Sequence, residues 1–194
     1  DNADSMSFSG KDIDKLVEFS RIECMVATPP FGLKCTLPTS DPAYYKSIEE
    51  KVINNFLESE SLRTAILILP QRIGFDRTLK KVRQRLIDEN ILDLIIELPN
   101  KLFVNTAIGT VVLVLSKNRS EDQNHVTMID ARKFIVNNKL DNETISSIFE
   151  QYLSGELENI MPHLFSVSCE TDIQNGSAIW PSVHLNKIFI YRGI

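Results

Sequence analysis

Ile22-Glu23-Cys24-Met25-Val26-Ala27-Thr28-Pro29-Pro30-Phe31-Gly32 is the stretch on which the fold turns. Its apolar run, Ile22, Cys24, Met25, Val26 and Ala27, stops at a double proline that can donate no backbone hydrogen bond, so it reads as a buried parallel strand ending abruptly. In open α/β sheets ligands bind at that carboxyl end. The two prolines hold φ near about −65° and keep their neighbours extended, which leaves rigid carbonyls that no helix consumes. Phe31 presents a flat face beside them. A rigid acceptor next to an aromatic plate suits a planar ligand carrying an amino group, such as a nucleobase extruded from a duplex. The competing reading is a plain Pro-Pro turn with Phe31 in the core, and composition alone favours it because so short a motif is a weak signal.

Working outward, residues 1–21 are mostly polar and weakly patterned, with Ile13, Leu16 and Val17 at helical spacing after Ser9-Gly10, which predicts one short helix. Downstream, Asp41-Pro42 predicts an N-cap with proline at the first helical position, and Tyr45, Ile48, Val52 and Phe56 recur along one face to about Ser59. Residues 64–69, closed by Pro70, predict a second buried strand. Asp76 is placed to cap a helix with Leu79, Val82 and Leu86 inward and Lys80, Lys81, Arg83 and Arg85 elsewhere on its surface. Ile91 to Leu98, Val111 to Leu115 and Val126 to Ile129 predict three more strands. Asn142 is expected to cap a last helix carrying Ile145, Ile148, Phe149 and Tyr152 on one face, stopped by Gly155. Beyond it only Ile188 to Tyr191 suggests a strand.

Alternating strands and helices demand a mostly parallel sheet with right-handed crossovers. Between Pro99 and Thr110 there is no helical pattern, so the strands on either side are expected to pair antiparallel across a long loop.

With 194 residues, 43% hydrophobic and 24% charged, the chain is sized for one substantial core. No apolar run approaches the ~20 residues of a membrane helix and no leader opens the chain, which predicts a cytoplasmic protein. Cys24, Cys35 and Cys169 are widely spaced, and His125, His163 and His184 stand alone in sequence, so neither a disulfide framework nor a metal site is suggested. A net charge of −5 argues against coating nucleic acid by bulk attraction, although a local basic stripe suffices for DNA.

Thr28-Pro29-Pro30-Phe31 resembles the Asn-Pro-Pro-Phe/Tyr signature of amino-group DNA methyltransferases. Three further pieces resemble, in order, the N6-adenine methyltransferase (modification) subunit of type I restriction-modification systems. They are Ala65-Ile66-Leu67-Ile68-Leu69-Pro70; Val82-Arg83-Gln84-Arg85-Leu86 with Ile95-Ile96-Glu97-Leu98-Pro99; and Leu102-Phe103-Val104-Asn105-Thr106-Ala107-Ile108 running into Val111 to Leu115. The resemblance implies a Rossmann-like, S-adenosylmethionine-dependent methyltransferase sheet, α/β and mostly parallel with an antiparallel late strand, its first strands absent. On that basis residues 1–21 are an irregular lead-in, 22–155 the C-terminal half of the catalytic domain, and 156–194 an extension. The implied partners are DNA with a flipped adenine, a specificity subunit and a restriction subunit.

Adenine N6 is a poor nucleophile because its lone pair is delocalised into the ring. A site that accepts hydrogen bonds from both amino hydrogens steadies the positive charge that develops on attack. In the family the Asn oxygen and the following proline carbonyl do this while the aromatic ring stacks on the base; carried over, these roles fall on Thr28, Pro29 and Phe31, with Pro30 holding the turn. Thr28 departs from the pattern. Its hydroxyl sits closer to the backbone than an Asn oxygen, and misplacing one such acceptor costs about 3 kcal/mol, roughly a hundredfold in rate. Impaired or absent catalysis is therefore expected, against a rival reading in which a shifted backbone or a water restores the contact.

None of the seven glycines forms Gly-x-Gly, so the S-adenosylmethionine site is expected mostly outside this chain, which alone is expected to be inactive. Arg72, Arg77, Lys80, Lys81, Arg83 and Arg85 are placed to contact DNA phosphates, or to form a solvated helix face diluted by Asp76, Asp88 and Glu89. Strand edges left open upstream would favour pairing with another chain. The alternative to an enzyme is a degenerate methyltransferase-like scaffold or DNA-positioning module.

Overall fold

The computed structural model describes residues 9–17, 22–32, 47–100, 102–103, 108–120, 125–136, 139–154 and 164–168. Helix α1 (Gly10–Val17) starts from a reciprocal cap in which the Asp12 N–H donates to the Ser9 hydroxyl at 3.3 Å and the Ser9 N–H donates to the Asp12 carboxylate at 3.0 Å. A Cβ on Gly10 would lie 2.7 Å from the Asn55 carbonyl oxygen, so only glycine lets α1 cross so close to the next helix.

That helix, α2 (Ile48–Glu58), begins at Ser47, whose extended backbone (φ −142°, ψ 157°) stops the helix and whose hydroxyl accepts the Glu50 N–H at 3.2 Å. The cap expected at Asp41 is therefore corrected to Ser47, while Asp41-Pro42 and Tyr45 lie outside the described residues. At the other end Lys117 Nζ donates to the Leu57 and Ser59 carbonyls and stands 4.7 Å over the Phe56 ring.

Six strands form the main sheet among the described residues: β1 (Cys24–Ala27), β2 (Thr64–Pro70), β3 (Leu92–Glu97), β4 (Thr110–Ser116), β5 (His125–Asp130) and, numbered below, β8. A two-stranded ribbon, β6 (Ile135–Val136) with β7 (Lys139–Leu140), stands apart, and β8 (Leu164–Ser168) closes the main sheet in the order β1-β2-β4-β3-β5-β8. β1, β2, β3 and β5 run one way; β4 and β8 run the other. The expected antiparallel pairing of the strands flanking the 98–109 loop is present, with Glu97 opposite Val111. β8 carries no pattern that the sequence reading registered. The strand suggested at Ile188 to Tyr191 and the stop at Gly155 lie outside the described residues.

Side chains alternate between two apolar clusters. Ala65, Leu67, Leu69, Val111, Leu113 and Leu115 face α2 and α3 (Lys80–Asp88), while Leu94, Ile96, Val114 and Ile129 face α4 (Asn142–Ser154) through Ile148. Helix α4 is capped one residue earlier than expected: Asp141, not Asn142, accepts from the Thr144 hydroxyl at 2.6 Å and its backbone N–H at 3.4 Å.

β1 is parallel as expected but not buried. It lies at the sheet edge, Val26 is 69% exposed and Ile22 48% exposed, and only Met25 and Ala27 turn inward. An apolar run cannot distinguish an edge from a central strand, because its composition reports only what could be covered. Among the described residues no helix is long and apolar enough to cross a membrane.

Asp14 ties α1 to the turn after α2. Burial pushes its carboxyl up, but the Ser59 hydroxyl (2.5 Å) and the Glu60 and Ser61 N–H groups (2.9 and 3.0 Å) outweigh this and hold it at about 2. A depressed carboxyl contributes stability above its unfolded value near 3.8 and loses it as pH falls through about 2. Asp14→Asn is therefore expected to cost about 1 kcal/mol at neutral pH, after allowance for solvent screening, and to flatten the acid limb of urea-unfolding stability in that window.

Candidate active site

Four strands run in one direction, so their carboxyl ends share one edge of the sheet, and Thr28-Pro29-Pro30-Phe31 leaves β1 at that edge. Pro29 is buried, which anchors the turn. Thr28 and Pro30 are exposed, and Phe31 is half-buried. Among the described residues nothing hydrogen-bonds to the Thr28 hydroxyl or the Pro29 carbonyl, so both acceptors are unspent. Gly32 follows at φ +76°, in the left-handed region, with open space where a Cβ would sit; glycine is needed there for the backbone turn, not for room.

The Phe31 ring meets Phe103 edge to face, with centroids 5.8 Å apart and planes at 87°. Phe103 belongs to the loop between β3 and β4 and packs against the apolar cluster beneath α4. The two aromatic rings thus come from separate places in the sheet order, one beyond the edge strand β1 and one beyond β3, three positions away. An edge-to-face contact of this kind is a favourable arrangement of two aromatic rings.

Beneath this loop lies a polar network. Glu97, at the end of β3, accepts from Gln71 Nε2 at 2.7 Å and from the Arg132 guanidinium at 2.8 Å. Asp130 is the register partner of Glu97 on β5 and takes Arg132 Nε at 2.8 Å and a second guanidinium nitrogen at 3.2 Å. Both carboxylates are buried. Burial would lower the Arg132 guanidinium, but the hydrogen bonds to Asp130 and the two carboxylate charges raise it. None of these residues was singled out in the sequence; the available signal was a carboxylate directly after an apolar pair at the end of each of two strands, Ile95-Ile96-Glu97 and Met128-Ile129-Asp130.

The basic residues divide. Arg77, Lys80 and Lys81 are exposed. Arg72 is spent on Glu49, which is fully buried and accepts from it at 2.7 Å. Arg85 bonds Glu89 at 2.5 Å. Arg83 corrects the expectation of a surface position: it is 2% exposed and donates to the Ile73 carbonyl at 3.0 Å and the Asp76 carbonyl at 2.7 Å. Its residue in helix α3 points inward beside Val82 because the turn capped by Asp76 offers it two carbonyls.

A family model for N-6 DNA Methylase matches residues 5–177. The chain belongs to the N-6 DNA methylase family. Among curated relatives, the methylase subunit of the Mycoplasma pneumoniae type I restriction enzyme MpnII is 33% identical over 98 residues, 48% of this chain and 18% of that subunit. The MjaVIII methylase subunit of Methanocaldococcus jannaschii is 30% identical over 81 residues, 38% of this chain and 14% of that one. This methylase chain thus spans under a fifth of the length of the curated relatives it matches. A type I methyltransferase subunit from Streptococcus thermophilus shares the fold, with a TM-score of 0.65 and 24% identity over 81% of this chain and 36% of that one.

S-adenosylmethionine, which methylases use, needs close backbone approach at a glycine-rich turn. At the β1 edge the described residues supply prolines and exposed apolar side chains, not such a turn, so they do not make up a cofactor pocket.

Arg83→Met is expected to cost about 2 kcal/mol in urea unfolding by removing the donor to the buried Ile73 carbonyl and the side-chain donor to the Asp76 carbonyl, whereas Lys80→Ala and Lys81→Ala are expected to stay within about 0.5 kcal/mol.

Proposed function

We propose that this chain is the target-base half of an adenine-N6 DNA methyltransferase subunit of a type I restriction-modification system, with the cofactor site supplied by sequence outside it and DNA sequence choice by a separate specificity subunit. The observation that supports this most is the Thr28-Pro29-Pro30-Phe31 turn, set on the carboxyl edge with two unspent acceptors beside a half-buried ring. In this reading the extruded adenine stacks on Phe31, Phe103 braces that ring, and the Pro29 carbonyl accepts one amino hydrogen. Thr28 Oγ1 accepts the other, with its own proton turned to solvent. Two acceptors on the amino group favour the geometry it takes as charge develops, which is a transition-state effect. Exposed Arg77, Lys80 and Lys81 supply phosphate contacts; Arg72, Arg83 and Arg85 are engaged within the protein and are set aside from that role.

A second reading has one observation in its favour. Thr28 is exposed and its hydroxyl is shorter in reach than the family's Asn, which fits a scaffold that holds DNA without transferring methyl groups.

Transfer of labelled methyl from S-adenosylmethionine into unmethylated DNA by the intact subunit with its specificity partner separates the two. The enzyme reading expects incorporation by the native protein and a rise of up to about a hundredfold in kcat for Thr28→Asn. Incorporation only after Thr28→Asn supports the scaffold reading, and loss of nothing on Phe31→Ala would refute a base-stacking role for that ring.

A further inference from the structure

Gln71 occupies an unusual position. Its backbone N–H donates to the Gly109 carbonyl at 2.8 Å, while its side-chain amide is held by Glu97. A Cβ added to Gly109 would fall 2.5 Å from Gln71 Oε1 and 3.1 Å from Asn100 Oδ1, so the two side chains close directly over the Gly109 backbone. At the other end of the same loop the Leu98 N–H donates to the Thr110 carbonyl at 3.0 Å. Gln71 is oriented by Glu97, Glu97 by Arg132, and Arg132 by the bidentate grip of Asp130. Gln71 follows β2, Glu97 ends β3, Gly109 precedes β4 and Asp130 ends β5 with Arg132 just beyond it, and the chain of contacts ends on the loop that carries Phe103.

We propose that Gln71, Glu97, Arg132 and Asp130 form a clamp that fixes both ends of the Phe103 loop and thereby sets the angle at which Phe103 meets Phe31; Gln71 is its key and a positioning residue for base holding. This rests on the base-holding reading above. Two buried carboxylates accept from one guanidinium, and Asp130 takes it through two nitrogens, so the clamp is charge-assisted and directional in a way that neutral side chains would not be. Gly109 completes it: any larger residue displaces the Gln71 amide from Glu97. The reason for using four residues far from the reacting atom is geometric, since an error of about 1 Å at a base-holding ring costs up to roughly a hundredfold in rate.

The test uses the intact methyltransferase subunit with its specificity partner and three variants: Gln71→Ala, Gly109→Ala, and both together. Methyl-transfer kcat, KM for S-adenosylmethionine, and amide hydrogen exchange at Leu98, Phe103 and Gly109 are measured for each. The expected result is a fall of about tenfold or more in kcat for each single variant, an unchanged KM, faster exchange at those three amides, and a double variant no worse than the poorer single, because both changes break one contact. Unchanged kcat and exchange, or losses that multiply in the double variant, overturn the clamp. Gly109→Ala adds a single methyl group in a loop and keeps the test informative if Gln71→Ala fails to fold. If the native protein transfers no methyl, the enzyme reading fails, and the exchange measurement still decides the clamp: faster loop exchange in the variants upholds it and unchanged exchange refutes it.

Discussion

Strand β4 is hydrogen-bonded on both sides, antiparallel to β2 from Pro70 opposite Thr110 to Thr64 opposite Ser116, and antiparallel to β3 from Glu97 opposite Val111. That double pairing sets the register of everything at the carboxyl edge. It brings the residue after β2, Gln71, against the residue before β4, Gly109, and sets the end of β3 beside both. A slip of one residue would exchange the two faces of β4, taking Val111, Leu113 and Leu115 out of the cluster under α2 and α3. The apolar alternation of β4 therefore fixes the site as much as the core.

Polarity at that edge is arranged in two layers. Below, the carboxylates of Glu97 and Asp130 are buried and both accept from Arg132. Above, exposed Thr28 and the Pro29 carbonyl, neither hydrogen-bonded among the described residues, lie next to Phe31 in the turn. Buried ion pairs contribute little net stability compared with apolar packing, so such a network is better explained by the geometry it enforces. Open acceptors next to rings are what a planar donor needs. The same contrast explains the basic residues: those with buried or capping partners, Arg72 and Arg83, hold the β2 end in place, and those without, Arg77, Lys80 and Lys81, remain available to a polyanion.

Most of the scaffold was legible in the sequence because its signals are local. Prolines end β1, β2 and the β3 segment, Asp76 caps the turn before α3, and the apolar runs at 64–69, 91–98 and 111–115 are strong enough to stand without context. What escaped was set by tertiary context. Whether β1 is central or at an edge depends on a neighbour, not on Val26 itself. Arg83 looks like any surface cation until the Ile73 and Asp76 carbonyls are seen to face it. Helix starts moved to Ser47 and Asp141 because the residue that ends a helix is the one whose backbone leaves the helical region, and several side chains nearby were chemically able to cap. The network around Glu97 was invisible for the same reason: its members lie at or just past the ends of β2, β3 and β5 and meet only through the sheet register.

The central claim is that the turn after β1 holds an extruded base. The most direct measurement is a cryo-electron microscopy structure of the intact subunit assembled with its specificity partner on DNA. The account predicts an extruded adenine lying flat on the Phe31 ring, its amino group within hydrogen-bonding distance of the Pro29 carbonyl and Phe103 at the edge of the stack. A structure in which DNA is bound but Phe31 is covered by protein, with every base of the duplex still stacked at that edge, would contradict it.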